Sequence, residues 1–190
     1  MTRKPAEAAV PSHVAFLRAI GPATHKAMPL GKLVKAAEAE GLHAVSSYIA
    51  SGNILFAARQ DEAKLARLFG TLIAGFGLDL DVFIRDAASM PGIIAANPFP
   101  DAAQARPNHL LVIMFAETLT AADAAILAQH GGPERLQIAG REIFVDYLEG
   151  VGTSKIQPGI IERRLKRRGT ARNWNTLLKI NALLNRPAVI

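Results

Sequence analysis

The sequence predicts an α+β fold of two ferredoxin-like (split βαβ) units in tandem, with antiparallel-rich sheets and helices packed on one face. Three observations predict it. Short apolar runs of strand length alternate with stretches of helical periodicity. Two-residue turn signals join neighbouring strand runs, once in each half. The element order, β-α-β-β-α-β and then β-α-β-β-α, repeats, and split βαβ units explain that order with right-handed crossovers.

His13-Val14-Ala15-Phe16-Leu17-Arg18-Ala19-Ile20 is a short apolar run ending at Gly21-Pro22, so it reads as a buried strand and a breaker. Pro29 starts a helix with Leu30, Leu33, Val34 and Ala37 on one face and Gly41 as its stop. Two β-rich runs, Val45 to Ala50 and Asn53 to Ala58, flank Ser51-Gly52, a hairpin signal. Asp61 caps a helix reaching about Phe76, with Leu65, Leu68, Phe69, Leu72 and Ile73 at helical spacing. Leu78 to Arg85 alternates through Leu80, Val82 and Ile84 as the strand that closes the first unit.

A short helix from Ala87 to Ala96 and the turn-rich Asn97-Pro98-Phe99-Pro100 lead to Pro107, where the second half begins. Leu110 to Phe115 is a buried strand, and Thr120 opens a helix to about Gln129. Leu136-Gln137-Ile138 and Ile143-Phe144-Val145 are strands around the turn Ala139-Gly140. Ser154 is expected to open a helix ending near Gly169, and Asn173 a last helix to about Asn185. A helix thus stands where the first half has its closing strand. The resulting division is a flexible leader over 1–12, a first βαββαβ unit with its connecting helix over 13–106, and a second βαββα unit with basic C-terminal helices over 107–190.

Composition limits the function classes. Half of the 190 residues are hydrophobic, enough for a real core, which excludes a disordered chain. No uncharged apolar run approaches the roughly 18 residues of a membrane span. Glu7 and Pro11 interrupt the basic start before a secretory apolar region can form. The absence of cysteine excludes disulfides and thiolate metal sites and fits a soluble, cytoplasmic protein. Net charge is +6, yet residues 155–190 hold nine basics and one acid, while the preceding residues sum to −2. Such a clustered positive field attracts phosphates, nucleic acid or an acidic partner.

Five short motifs occur in order: Leu17-Arg18-Ala19-Ile20, Tyr48-Ile49-Ala50-Ser51-Gly52-Asn53, Asn97-Pro98-Phe99, Gly152-Thr153-Ser154-Lys155 and Thr170-Ala171-Arg172-Asn173-Trp174-Asn175-Thr176. Through them the chain, from about Val14 to Leu184, resembles the bacterial domain-of-unknown-function family 1697. That family has no established activity, so the resemblance implies a fold and motif positions only. The stretch Ala19-Ile20-Gly21-Pro22-Ala23-Thr24 departs from the glycine-rich pattern typical of the family after its first strand.

The best binding motif is Gly150-Val151-Gly152-Thr153-Ser154-Lys155, where glycines admit a ligand and the backbone N–H groups of an expected helix start face an anion. Its spacing is not that of a P-loop. Gly152, Ser154 and Lys155, with Arg172, Asn173 and Asn175 at the next expected helix start, form the candidate anion site; Arg18, Ser51 and Asn53 could add to it. Asn173 is a good N-cap, and Trp174 leads a stripe with Leu177, Leu178 and Leu184 that reads as core. Arg163, Lys166 and Arg167 lie opposite Ile161 and Leu165, a geometry that suits a nucleic-acid backbone. His25 and Lys26 are weaker candidates. The five histidines (His13, His25, His43, His109 and His130) show no metal-ligand spacing, and no nucleophile elbow is present.

No cofactor or metal is implied, and whether the chain is an enzyme stays open. The leading expectation is a non-catalytic module that binds an anionic partner, nucleic acid or a phosphorylated ligand, through the basic C-terminal region. The alternatives are a small-molecule enzyme with a pocket between the halves, lined by the polar motif loops, and a structural homo-oligomer.

Overall fold

The computed structural model describes residues 10–186; most of the expected leader and the last four residues lie outside them. The element order is β1 (His13–Leu17), α1 (Pro22–Ala27), α2 (Leu30–Ala39), β2 (His43–Tyr48), β3 (Asn53–Ala57), α3 (Glu62–Ala74), β4 (Val82–Asp86), α4 (Met90–Ala95), α5 (Pro100–Ala105), β5 (Leu110–Phe115), α6 (Ala121–Ala128), β6 (Arg135–Ala139), β7 (Glu142–Asp146), α7 (Pro158–Leu165), β8 (Gly169–Asn173) and α8 (Trp174–Leu184). Two compact units result. One runs up to Met90 and resumes at Ile180, and the other is Pro91–Lys179.

The first unit holds a four-stranded antiparallel sheet in the order β2-β3-β1-β4. Ala15, Leu17, Ile54, Phe56 and Ile84 face the helices, packing with Leu33 and Ala37 of α2 and Leu65, Phe69 and Ile73 of α3. The alternate residues Val14, Phe16, Leu55, Phe83 and Arg85 are buried as well. Burial on both faces explains why β1 reads as an unbroken apolar run. Asp61 caps α3 as expected, its Oδ1 accepting from the Lys64 amide at 2.8 Å.

The first hairpin falls at the expected place but is longer. Tyr48 pairs with Asn53, leaving four connecting residues, among them Ser51 and Gly52. Asn53, fully buried, braces the turn by donating to the Tyr48 carbonyl (2.9 Å) and the Ser51 hydroxyl (3.1 Å). Gly52 has φ +77°, and a Cβ there would lie 2.5 Å from Ile20 Cγ1 and 3.0 Å from Leu17 Cβ. Left-handed strain and steric overlap add, so Gly52→Ala is expected to cost about 1–3 kcal/mol in urea unfolding. A neutral result would mean the turn relaxes freely.

The second unit holds the order β6-β7-β5-β8, again antiparallel throughout. Ile113, Phe115, Ile143, Val145 and Tyr147 pack with Leu127 of α6 and Ile161 and Leu165 of α7. Ala139 pairs with Glu142, so the two-residue turn is Gly140-Arg141, one residue later than Ala139-Gly140.

Three expectations need correction. Gly169–Asn173 is a strand, paired with β5 from Phe115↔Gly169 to Leu111↔Asn173, rather than the junction of two helices. The second unit therefore runs β-α-β-β-α-β before α8, not β-α-β-β-α. Its closing strand shows no apolar alternation because Thr170 and Arg172 occupy buried positions that apolar residues usually fill. Next, α7 starts at Pro158 behind Gln157, not at Ser154. Proline's fixed φ and missing N–H suit the first helical position. Last, β4 begins at Val82, so Leu78 to Asp81 precede the strand. Short helices α1 and α5 also begin at Pro22 and Pro100, the last residues of the stretches read as breaker and turn. No helix among the described residues is long and apolar enough to cross a membrane.

Candidate functional site

A cleft of about 620 Å³ opens within the second unit. Its walls are the α6–β6 connection, with His130, Gly132 and Glu134, and the loop after β7, with Ser154 and Lys155; Arg164 of α7 completes it. The fold of the β7 loop follows from local hydrogen bonds. The Gly150 amide donates to the Tyr147 carbonyl at 2.8 Å, and Thr153 Oγ1 donates to the Gly150 carbonyl at 3.0 Å. Tyr147 is fully buried, and its hydroxyl donates to the Ile156 carbonyl at 2.9 Å, fastening the far end of the loop. Burial first, and the Glu134 charge second, push the Tyr147 phenol well above its ordinary value, so it keeps its proton.

Glu134 is the hub of the polar wall. The Ser154 hydroxyl accepts from the Ile156 amide at 3.0 Å and donates to Glu134 Oε1. Burial opposes ionisation of Glu134, but Ser154, its own backbone amide and His130 together hold the carboxyl below its ordinary value. Glu134 is consequently a carboxylate at neutral pH. His130 Nε2 lies 2.7 Å from Glu134 Oε2, and each side chain is 8 % exposed. The two atoms are close but not aligned as donor and acceptor, and neither makes a hydrogen bond among the described residues. Gly132 makes the arrangement possible, because a Cβ there would overlap both the His130 ring and the Glu134 carboxylate. His130 and Glu134 also border a smaller hollow of about 390 Å³ against α6 and β6. Among the described residues no three His, Asp or Glu side chains come together as a metal site requires.

The model of the family described as "Protein of unknown function (DUF1697)" matches residues 10–144. The chain belongs to this family. The matched stretch includes His130 and Glu134 and ends before Ser154, Lys155 and Arg164. The fold is similar to that of the conserved bacterial protein SP0830 from Streptococcus pneumoniae, with a TM-score of 0.72 and 20 % identity over 94 % of this chain and 100 % of that one. No curated protein matches the sequence.

Of the residues singled out in this DUF1697 sequence, Ser154 and Lys155 line the cleft, and Gly152 belongs to the same loop. Arg172 immediately precedes Asn173, the cap of α8, as expected, but its side chain is not free there. It sits within β8, where its guanidinium donates to Thr170 Oγ1 (2.9 Å) and the Ala171 carbonyl (2.8 Å), and burial lowers it to about 10. Asn173 does cap α8, its Oδ1 accepting from the Thr176 amide at 2.9 Å. Asn175 donates to Asn108 Oδ1 at 3.0 Å. Arg172, Asn173 and Asn175 are not among the residues lining the cleft.

Arg18, 3.9 Å from Asp81, and the hairpin residues Ser51 and Asn53 belong to the first unit. So does His25, whose Nε2 lies 2.7 Å from the Ala50 carbonyl. On α7 and just beyond it, Arg163 and Lys166 are exposed, but Arg167 contacts Asp123 and Glu117, each at 3.3 Å. His130, Glu134 and Arg164 are the functional candidates that sequence reasoning missed. Their one local signal is the Gly131-Gly132-Pro133 run between His130 and Glu134.

Proposed function

We propose that this DUF1697 protein is a non-catalytic binding module that holds a phosphorylated small molecule in the cleft of its second unit. The observation that carries this reading is a concave site in which Lys155 and Arg164, neither paired with an acid among the described residues, stand beside the hydroxyl-bearing loop of Thr153 and Ser154. Two cations lining a cleft of this size suit a phosphate with a small body attached. We also read each unit as a ferredoxin-like domain. The repeated β-α-β-β-α-β order and the antiparallel strand order of each sheet support that assignment.

Thermal unfolding with phosphate monoesters, against chloride at matched ionic strength, tests the function. Ligand at a hundredfold its Kd adds about 2.7 kcal/mol, or about 5–10 °C for a chain of this size. The Lys155→Ala/Arg164→Ala double variant is expected to lose that rise and keep its own ligand-free melting temperature. No rise in the wild type would refute the reading.

The second reading, a nucleic-acid surface, is favoured by the exposed basics Arg163, Arg164 and Lys166 on and after α7. Arg167 is already held by Asp123 and Glu117, so three cations rather than four count. Binding to duplex DNA should then show a slope near −2.7 in log affinity against log salt, at about −0.9 per phosphate. Fluorescence anisotropy from 50 to 200 mM salt measures it. A slope near zero, or no binding at 50 mM, removes the nucleic-acid reading.

A further inference from the structure

We propose that a second copy of this chain docks on the free edge of β6, pairing β6 with β6 antiparallel about a twofold axis at Gln137. β6 ends the strand order β6-β7-β5-β8, so only one of its edges is paired. Its register on β7 is unbroken from Arg135↔Asp146 to Ala139↔Glu142. The two-residue turn makes Ala139 and Glu142 a hydrogen-bonded pair, and such pairs alternate along an antiparallel ladder. Arg135 and Gln137 therefore bond β7, while the N–H and C=O groups of Leu136 and Ile138 point outward. No backbone group answers them among the described residues.

An open row of backbone donors and acceptors is a template for another strand, and sheets usually protect it. The counterpart edge of the first unit is protected. β2 carries a bulge between His43 and Ser46 and a left-handed Ala44 at φ +49°, which turn its edge away from regular pairing. β6 has no bulge, no proline and no lysine. It is built to pair, and an added strand is a common way for one chain to bind another.

Register and charge select a copy of the same chain. An axis at Gln137 sets Leu136 opposite Ile138 of the second copy, and the converse, so every outward backbone group is used. On the helix face apolar meets apolar, since Leu136 and Ile138 both pack on the core beneath α6 and α7. On the other face exposed Gln137 meets its own copy, and a side-chain amide both donates and accepts. The hollow of about 390 Å³ between α6 and β6 opens beside this edge, where the second copy covers it. The protein carries +6, so basic faces of two copies repel. This face is spared, because α6 and β6 hold only Asp123 and Arg135 as charges. Both are committed, Asp123 to Arg167 and Arg135 to Asp101 and Asp146. The eight residues of α6 and five of β6 are about half the 20–30 a side of a standard interface, which fits a reversible dimer. The dimer does not depend on the phosphate reading above.

Sedimentation velocity of the full chain, from micromolar to near-millimolar concentration, tests the dimer. The mass is expected to rise from 20.3 kDa toward twice that value. Gln137 is exposed, so Gln137→Lys and Gln137→Glu should keep the wild-type circular dichroism and melting temperature. Each sets like charges face to face at the axis and should weaken association at least about tenfold. Mixed in equal amounts, the two variants should associate again, because unlike charges then meet. Hydrogen exchange in the wild type should protect the Leu136 and Ile138 amides only at concentrations where the mass doubles. That measurement decides the matter even if a variant fails to fold. A mass that stays at 20.3 kDa throughout overturns the proposal and leaves the edge to an extended segment of another protein. A dimer in which these two amides still exchange freely overturns it as well. So does one that survives either substitution in a folded variant, or a mixture that fails to recover, since the axis then lies elsewhere.

Discussion

Truncating Trp174 to alanine is expected to cost about 3–5 kcal/mol, the usual range for a buried aromatic replaced by a methyl group. Trp174 is the first residue of α8 and is only 5 % exposed. Its ring lies 6.5 Å from the Phe144 ring of β7, tilted by 57°, a geometry that adds to the burial itself. Its backbone amide donates to the Pro107 carbonyl at 3.2 Å, so the residue is anchored at both backbone and ring. Phe144 is fully buried and cannot move out to fill the vacated volume. Most of the cavity should therefore persist, which puts the cost toward the upper end. Urea unfolding followed by circular dichroism measures it in both proteins. The intrinsic fluorescence of the chain's one tryptophan serves only the wild type. A loss under about 1 kcal/mol would mean a ring that contributes like a surface residue.

The first strand, β1, was legible because both of its faces are apolar. Val14 and Phe16 are buried on one side, Ala15 and Leu17 on the other, and a run of four such residues needs no alternation to be read. β8 was illegible for the opposite reason. Its buried positions carry Thr170 and Arg172, polar residues that mimic a loop. Register makes the reason clear. Arg85 of β4 pairs with Val14 of β1, and Arg172 of β8 pairs with Val112 of β5, so each closing strand buries an arginine opposite a valine of the unit's first strand. The two units repeat at this position, yet neither arginine resembles a core residue in a linear sequence.

The site divides in the same way. Ser154 and Lys155 belong to a compact glycine-bearing motif and were visible at once. Glu134 reaches Ser154 across twenty residues, and only the crossing of the α6–β6 and β7–α7 connections brings them together. The basic C-terminal segment was legible as charge, but its availability was not. Arg167 is paired with acids that lie some fifty residues away, and Arg172 is spent inside a sheet. Counting charges reports a field, whereas a binding surface depends on which of those charges the fold leaves uncommitted.

Replacing Asp146 by asparagine should destabilise the protein by about 3 kcal/mol at neutral pH, the low end for breaking a buried ion pair. Asp146 ends β7, and its side chain is fully buried. Its Oδ1 accepts from Arg106 Nε at 2.8 Å, and its Oδ2 accepts from Arg135 Nε at 2.9 Å and from both Nη2 atoms. Arg135 also donates to Asp101 at 2.6 Å and stands 4.7 Å above the Phe99 ring, so the carboxylate ties β6, β7 and the α5 region together. The low end applies because the Arg106 and Arg135 side chains are 25 % and 40 % exposed and can regain water when the carboxylate is lost.

The sign of the pH dependence follows from the same contacts. Burial opposes the charge on Asp146, but hydrogen bonds and attraction from Arg106 and then Arg135 outweigh it and hold the carboxyl below its ordinary value. A carboxyl depressed in the folded state contributes stability that is complete above its unfolded pKa, about 3.9, and is lost as pH falls through the folded value. The wild type should therefore lose its advantage over Asp146→Asn below about pH 4. Asparagine keeps the shape and one acceptor oxygen but puts an N–H donor in place of the other, so the comparison removes the charge together with one acceptor. Urea unfolding of both proteins at pH 7 and pH 3 measures the gap. Equal stability at pH 7 would mean that the two arginines do not need the carboxylate. A gap that stays the same at pH 3 would mean that the acceptor oxygen lost to asparagine, not the charge, sets the difference.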